Sequence, residues 1–229
     1  GAEGYEIACS PDGTKVYTSN PSNSKVDVIN TATNTVITSI PVANVPNGIV
    51  VSPDGSRIYV DLFSGNSVAV IDAVTNTVIA NVVVGFNPWG ISASPDGSKL
   101  YVSNVNSNSV SVINTATNIV SATITGFNSP RGVSFTPDGS FAYVASQGAN
   151  SVHVINTTTN AIVSTVTVGS SPYSVGNFIT GNASCTGPSK TFTITVNPTP
   201  VGSASSQTIC GGTASNVALS STVTGTTYT

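Results

Sequence analysis

Five positions, each 42 residues after the last, carry the side chains of this chain that are best suited to hold a ligand. They are Tyr5, Asn47, Trp89, Arg131 and Tyr173. Aromatic rings provide stacking faces, and a guanidinium binds anionic groups. If these side chains converge on one opening, they suit a carbohydrate or an anionic group. The alternative, that these loop positions vary because nothing constrains them, stays open at this point.

Catalytic groups are otherwise scarce. His153 is the only histidine, which excludes a histidine-rich copper site and disfavours a Ser-His-Asp triad. It alternates with valines along a predicted strand, so we expect an exposed surface side chain. No glycine-rich phosphate loop precedes a predicted helix. These features predict a protein that is not an enzyme and has no cofactor.

Four aspartates recur in the phrase Ser/Thr-Pro-Asp-Gly and are the obvious candidates for metal ligands; they are Asp12, Asp54, Asp96 and Asp138. A tight turn explains the whole phrase, because Pro presets φ, Asp bonds its own backbone and Gly accepts a positive φ. A metal site needs further carboxylates nearby, and the nine acidic residues are not clustered along the chain. We therefore predict structural turns and no metal.

A basic residue follows the aspartate by three positions in the first three units, at Lys15, Arg57 and Lys99. Phe141 takes this position in the fourth unit. We therefore predict solvated charges at a strand edge, which the fold does not require.

Short strands must position these residues. In the second unit the alternation of β-branched or aromatic residues with small polar ones predicts strands over 48–52, 57–61, 67–72 and 77–84. The same pattern recurs four times, and a period near 40 made of short strands is typical of a β-propeller blade. The sequence predicts an all-β protein with four complete four-stranded antiparallel blades.

The stretch SPDGSKLYVSNVNSNSVSVINTATNIVSATI resembles the YVTN-type β-propeller repeat of cell-surface and surface-layer proteins, which also occurs in some lactonase-like and cofactor-bearing enzymes. The resemblance covers about residues 1–179, so we place the propeller at 1–180. A fifth unit begins at 169–179. The family usually closes its ring with about seven blades. A four-bladed ring, an arc closed by another subunit or domain, and a piece of a longer chain are the alternatives, and we favour the last.

The composition changes after residue 180. Residues 181–200 contain one strand and a proline-rich linker, and 201–229 are similar to the start of a PKD-like, immunoglobulin-type β-sandwich module. Cys185 and Cys210 could pair with each other, but the resemblance implies that each pairs within its own module, and this second alternative is favoured. Cys9 takes the strand position of Val51 and Phe135, so we expect a small core residue.

Composition indicates where such a protein works. Only 7% of the residues are charged, against about 25% in ordinary soluble domains, and the net charge is −3. Scattered basic residues exclude a nucleic-acid footprint, and no apolar run is long enough for a membrane helix. We predict an extracellular or cell-surface structural protein that binds copies of itself or other surface proteins, in a lattice, sheath or filament. A glycan-binding adhesin that uses the channel rim is the alternative, and a lactonase-like or cofactor-dependent enzyme is less favoured.

Overall fold

The computed structural model describes residues 6–174, which form four antiparallel sheets of four strands each. In every sheet the strands pair in sequence order, so each sheet is a simple meander. The first blade contains β1 (Ile7–Cys9), β2 (Lys15–Asn20), β3 (Lys25–Asn30) and β4 (Thr35–Pro41). The second contains β5 (Pro46–Val51), β6 (Arg57–Leu62), β7 (Ser67–Asp72) and β8 (Thr77–Val83).

The third blade contains β9 (Pro88–Ala93), β10 (Lys99–Asn104), β11 (Ser109–Asn114) and β12 (Ile119–Thr125). The fourth contains β13 (Pro130–Phe135), β14 (Phe141–Ser146), β15 (Ser151–Asn156) and β16 (Ala161–Thr167). The helical elements of the described residues are three short 3₁₀ turns, at Pro21–Asn23, Phe63–Gly65 and Gln147–Ala149. None of the described helices is long and apolar enough to span a membrane.

The blades stack side by side through their flat faces. One apolar cluster joins the first and second blades, for example through Tyr17 and Ile58. A second cluster joins the second and third blades, and a third joins the third and fourth. Strand β9 contacts both β5 and β13, so the first strands of successive blades are neighbours along the inner edge. This arrangement is that of propeller blades, and it confirms the predicted all-β propeller fold.

The two end blades leave one face open within residues 6–174. Val166 is 48% exposed, although the equivalent Ile40, Val82 and Ile124 are buried. On the opposite end, Ile7 is 64% exposed although the equivalent Ile49 is buried. Within residues 6–174, the first and fourth blades therefore do not cover each other. The alternative of a ring closed by these four blades alone is wrong.

Two sequence predictions are wrong because the burial of a side chain depends on whether another blade covers its face of the sheet. His153 is buried, at 7% exposure, since its side chain lies on the face of the fourth blade that the third blade covers. Its Nδ1 lies 3.0 Å from Thr165 Oγ1, and its ring packs edge-to-face on Phe127. Burial lowers the pKa of His153. Cys9 is exposed and not in the core, because its face of the first blade has no described neighbour.

The prediction of solvated charges at the strand edge is wrong for two of the three basic residues. Lys15 Nζ donates to the carbonyl oxygen of Ala73 at 3.3 Å, and Lys99 Nζ donates to that of Thr157 at 2.7 Å. Each acceptor lies in the following blade, so these lysines fasten neighbouring blades. Arg57 instead forms an ion pair with Asp72 of its own blade at 2.7 Å.

The four turn aspartates accept hydrogen bonds within their own turns. Asp54 Oδ1 accepts hydrogen bonds from Ser52 Oγ at 2.5 Å and from the Ser56 backbone N–H at 3.0 Å. Gly55 has a φ of +74°, which the turn needs and glycine supplies. The same bonds recur around Asp12, Asp96 and Asp138.

These turns predict acid sensitivity. The hydroxyl of Ser52, followed by the Ser56 N–H, lowers the pKa of Asp54 to about 2. A carboxyl with a lowered pKa in the folded state contributes stability above about pH 4, the unfolded value, and this stability is lost as pH falls toward about 2. We expect the free energy of unfolding to fall as pH falls across that window. Asp54→Asn should make the slope of this free energy against pH shallower, by the equivalent of at most one bound proton. Urea unfolding from pH 5 to pH 2 measures the slope, and equal slopes would contradict the assignment.

The remaining sequence predictions fall outside the described residues. These are Tyr5, the linker at 181–200, the module at 201–229 and the pairing of Cys185 and Cys210. They stay predictions.

Candidate functional site

Three of the five spaced residues meet at one end of the inner strands. Arg131 places its guanidinium carbon 4.3 Å from the centre of the Trp89 ring and 5.8 Å from that of Tyr173. The Trp89 and Tyr173 rings meet edge-to-face at 6.0 Å. Phe63, which the sequence analysis missed, packs edge-to-face on Trp89 at 5.6 Å. We call Phe63, Trp89, Arg131 and Tyr173 the rim cluster.

Local structure explains why these side chains converge. Trp89 and Arg131 are the second residues of β9 and β13, each directly after the proline that begins the strand. Neighbouring inner strands lie side by side, so equivalent positions of successive blades come together. Phe63 joins them because it begins the 3₁₀ turn that follows β6. In the sequence it is marked only as an aromatic residue at the repeat position of Pro21 and Val105.

The rim cluster combines stacking faces with an available cation. Arg131 Nε donates to Gln147 Oε1 at 2.8 Å, which fixes the guanidinium plane against the rings. The ion pairs of the described residues are Lys25–Asp27 and Arg57–Asp72, so Arg131 is not neutralised by an acid in this part of the chain. Tyr173 is 52% exposed, while Trp89 and Arg131 are half-buried. Such a surface can stack on a ring and bind a carboxylate.

Asn47 has a different role from the one its spacing suggested. Its side chain is buried, and Nδ2 donates to the carbonyl oxygen of Trp89 at 3.1 Å. Asn47 therefore holds the backbone of the rim cluster and does not present a ligand-facing side chain. Tyr5, the remaining member of the series, lies outside the described residues.

Two carboxyl groups lie beside this backbone, that of Glu6 partly buried and that of Asp61 fully buried. Glu6 occupies the repeat position of Gly48, Gly90 and Gly132, and its Oε2 accepts from the Ile49 backbone N–H at 3.1 Å. Asp61 is fully buried, and neither carboxyl oxygen has a hydrogen-bond partner of good geometry. In the sequence, Asp61 and Glu6 are marked only as departures from the repeat, at the positions of Ser19 and Gly48 respectively.

Burial raises the pKa of both carboxyl groups, and the charge of Glu6 raises that of Asp61 further. Burial raises the pKa of Glu6 to about 7, which the Ile49 N–H partly offsets. Burial first, and then the charge of Glu6, raise the pKa of Asp61 well above its usual range, with partial relief from the Gly48 N–H. Within residues 6–174, His, Cys, Asp and Glu side chains do not form any group of three or more that could hold a metal.

Comparisons with known proteins agree on the fold. Residues 87–175 match the family described as "Lactonase, 7-bladed beta-propeller". A structure described as Kuenenia stuttgartiensis hydrazine synthase is 30% identical with a TM-score of 0.69, and the match covers 72% of this chain and 49% of that one. A functionally unknown protein from Desulfotomaculum acetoxidans is 24% identical with a TM-score of 0.65, covering 71% of this chain and 56% of that one.

The chain thus spans about half the length of the solved structures it matches. No curated protein matches it.

Proposed function

We propose that this propeller is a non-catalytic interaction module of an extracellular or cell-surface protein, with the rim cluster as its contact site. The observation that carries the proposal is the stack of Arg131 on Trp89 with Tyr173 beside it, half open to solvent. Tryptophan, tyrosine and arginine are the residues enriched among those that dominate the binding energy of protein interfaces. The partner that this surface suits best is a protein segment that presents a carboxylate beside an apolar side chain.

Several features support a structural setting for this module. The outer strands expose an apolar column at equivalent positions of three blades, formed by Ile37, Ile79 and Val163. Exposed edge strands with apolar residues favour ordered contacts with other chains. The low charge, and the resemblance to YVTN-type surface proteins with a PKD-like tail, support display at a cell surface among copies of itself or other surface proteins.

A glycan-binding adhesin remains the alternative use of the same surface. Tyr173 and Trp89 offer ring faces for a sugar, and Arg131 suits an acidic one. This alternative shares the rim cluster, so only the identity of the ligand separates the two functions.

A lactone-hydrolysing enzyme is the second candidate function, and the family match over residues 87–175 favours it. The rim cluster contains no nucleophile beside a general base, so this candidate ranks below binding. If the unmodified chain hydrolyses a lactone and Arg131→Ala does not, the enzymatic function would replace the proposed binding function.

The test measures binding of defined ligands to the full chain and its variants by surface plasmon resonance. The ligands are synthetic peptides rich in Asp, Glu and aromatic residues, and acidic and neutral oligosaccharides. We expect the acidic peptides to bind, with a loss of about tenfold or more in Trp89→Ala and Arg131→Ala. Arg131→Lys should also bind weakly, because an ammonium does not stack as a guanidinium does.

Arg57→Ala is the matched control, because it removes the other arginine of the propeller, which begins β6 at the end opposite to Phe63. It should bind as the unmodified chain does. Binding of oligosaccharides alone would replace the protein partner by a glycan. Equal binding by Arg131→Ala and the unmodified chain would overturn the proposed site.

A further inference from the structure

The third blade shows what normally lies between two inner strands. Ser103 Oγ accepts from the Gly90 backbone N–H at 3.0 Å and donates to the carbonyl oxygen of Arg131. One hydroxyl thus connects the third blade with the inner strand of the fourth. The equivalent residues one repeat earlier are Asp61, Gly48 and Trp89.

Asp61 cannot repeat this connection as a carboxylate. An ionised carboxyl group only accepts hydrogen bonds, so it has no proton for the Trp89 carbonyl. That carbonyl lies 3.0 Å from the point where a Cβ on Gly48 would stand, and the same Cβ would collide with Asp61 Oδ2. Two oxygen acceptors therefore lie on the same side of Gly48, and Asp61 is fully buried without a hydrogen-bond partner of good geometry. A buried charge of this kind is costly unless something positive neutralises it.

A third oxygen reaches the same point from the first blade. Glu6 Oε2 lies 3.1 Å from the Cβ position of Gly48. The oxygens of Glu6, Asp61 and Trp89 thus come from three successive blades and surround one glycine. Neither acid forms an ion pair with a basic side chain among the described residues.

We propose that Glu6, Asp61 and the main-chain carbonyl of Trp89 form a calcium site at the inner edge of the propeller. Ca²⁺ takes carboxylate and backbone carbonyl oxygens at about 2.3–2.6 Å in flexible geometry, and it completes its shell with water. The Cβ position of Gly48 marks the space that these oxygens line: the Trp89 carbonyl oxygen and Glu6 Oε2 lie 3.0 and 3.1 Å from it, and Asp61 Oδ2 lies closer. An ion bound there would lie farther from Gly48 Cα than a Cβ would, among three oxygens of the types that Ca²⁺ takes. Mg²⁺ demands a near-octahedral shell and keeps more of its own waters, so this site favours calcium.

The bound cation would fasten three blades at once. It would supply the positive partner that Asp61 lacks and would fix the Trp89 carbonyl, whose second lone pair accepts from Asn47 Nδ2. Gly48 is required because any side chain would fill the space of the ligand oxygens. The site is separate from the rim side chains but shares the backbone of Trp89.

Terbium luminescence tests the proposal directly. Tb³⁺ binds where Ca²⁺ does, and it emits when a nearby excited indole transfers energy to it. Trp89 is the only tryptophan of the chain, and its own carbonyl is a proposed ligand. At neutral pH we expect tryptophan-sensitised emission from the full-length chain that Ca²⁺ displaces and Mg²⁺ displaces far less well.

Two variants and one control separate this site from scattered surface acids. Asp61→Ser restores the residue of Ser19 and Ser103, so it should fold, and Glu6→Gln keeps the size of the side chain. Both should weaken Tb³⁺ and Ca²⁺ binding by about tenfold or more, because each removes one charged ligand. Asp138→Asn removes an exposed turn carboxylate and should leave binding unchanged.

Thermal unfolding provides an independent readout. Ca²⁺ should raise the melting temperature of the unmodified chain and, at the same concentration, raise that of Asp61→Ser clearly less, because the variant binds the ion more weakly. Equal emission from Asp61→Ser and the unmodified chain would overturn the calcium site. So would a melting temperature that does not respond to Ca²⁺, since the carboxyl pair would then be held by a shared proton. Neither result depends on whether the rim cluster binds a ligand.

Discussion

Gly90→Ala is expected to lower the free energy of unfolding by about 2–3 kcal/mol, the upper range for forced overpacking. A Cβ at this position would stand 2.5 Å from the Arg131 carbonyl oxygen and 3.1 Å from Gly132 Cα. Both contacts are with backbone atoms of the next blade, so no side-chain rotation can relieve them. The inner strands would have to move apart, and the Arg131 backbone would shift with them.

Gly169→Ala is the matched control for this prediction. Gly169 has no heavy atom within 4 Å of its Cβ position among its described neighbours. The substitution should change stability by about 0.5 kcal/mol or less. Urea unfolding of the three proteins makes the comparison, and an equal loss in both variants would show that the close approach of β9 and β13 is not what limits position 90.

The second large effect is expected from Tyr101→Ala, at about 3–5 kcal/mol for an aromatic side chain removed from a closed core. Tyr101 is fully buried, and its ring meets Phe135 of the fourth blade at 4.8 Å. Its hydroxyl donates to Asn160 Oδ1 at 2.6 Å, also in the fourth blade. The variant loses apolar burial and a bond between blades together, while Tyr101→Phe should cost only about 1 kcal/mol.

Tyr143→Ala provides the internal comparison because Tyr143 occupies the same repeat position in the fourth blade. Its side chain is half-buried, since no described blade covers that face. The loss should therefore be clearly smaller than for Tyr101→Ala. Equal losses, measured by urea unfolding of the full chain, would mean that the face is covered in solution and would contradict the open end described above.

Much of the candidate site was visible in the repeat itself. A constant frame with variable residues at one position singled out Trp89, Arg131 and Tyr173, and the structure brings these three together. Asn47 shares the spacing but faces inward, because the pattern shows which residues are equivalent and not which way each side chain turns. Phe63 belongs to another repeat position, so its contact with Trp89 is decided by the tertiary structure.

The amino-acid sequence alone determined the repeat, the strands, the turns and hence the propeller blade, because these depend on contacts between residues close along the chain. Only the tertiary structure decided which surfaces are covered. His153 is buried and Cys9 is exposed because burial in a propeller depends on the neighbouring blade and not on alternation within one strand. The pairing of Glu6 with Asp61 was decided in the same way. These acids lie far apart in sequence, and they meet because adjacent blades bring their inner strands to a single glycine.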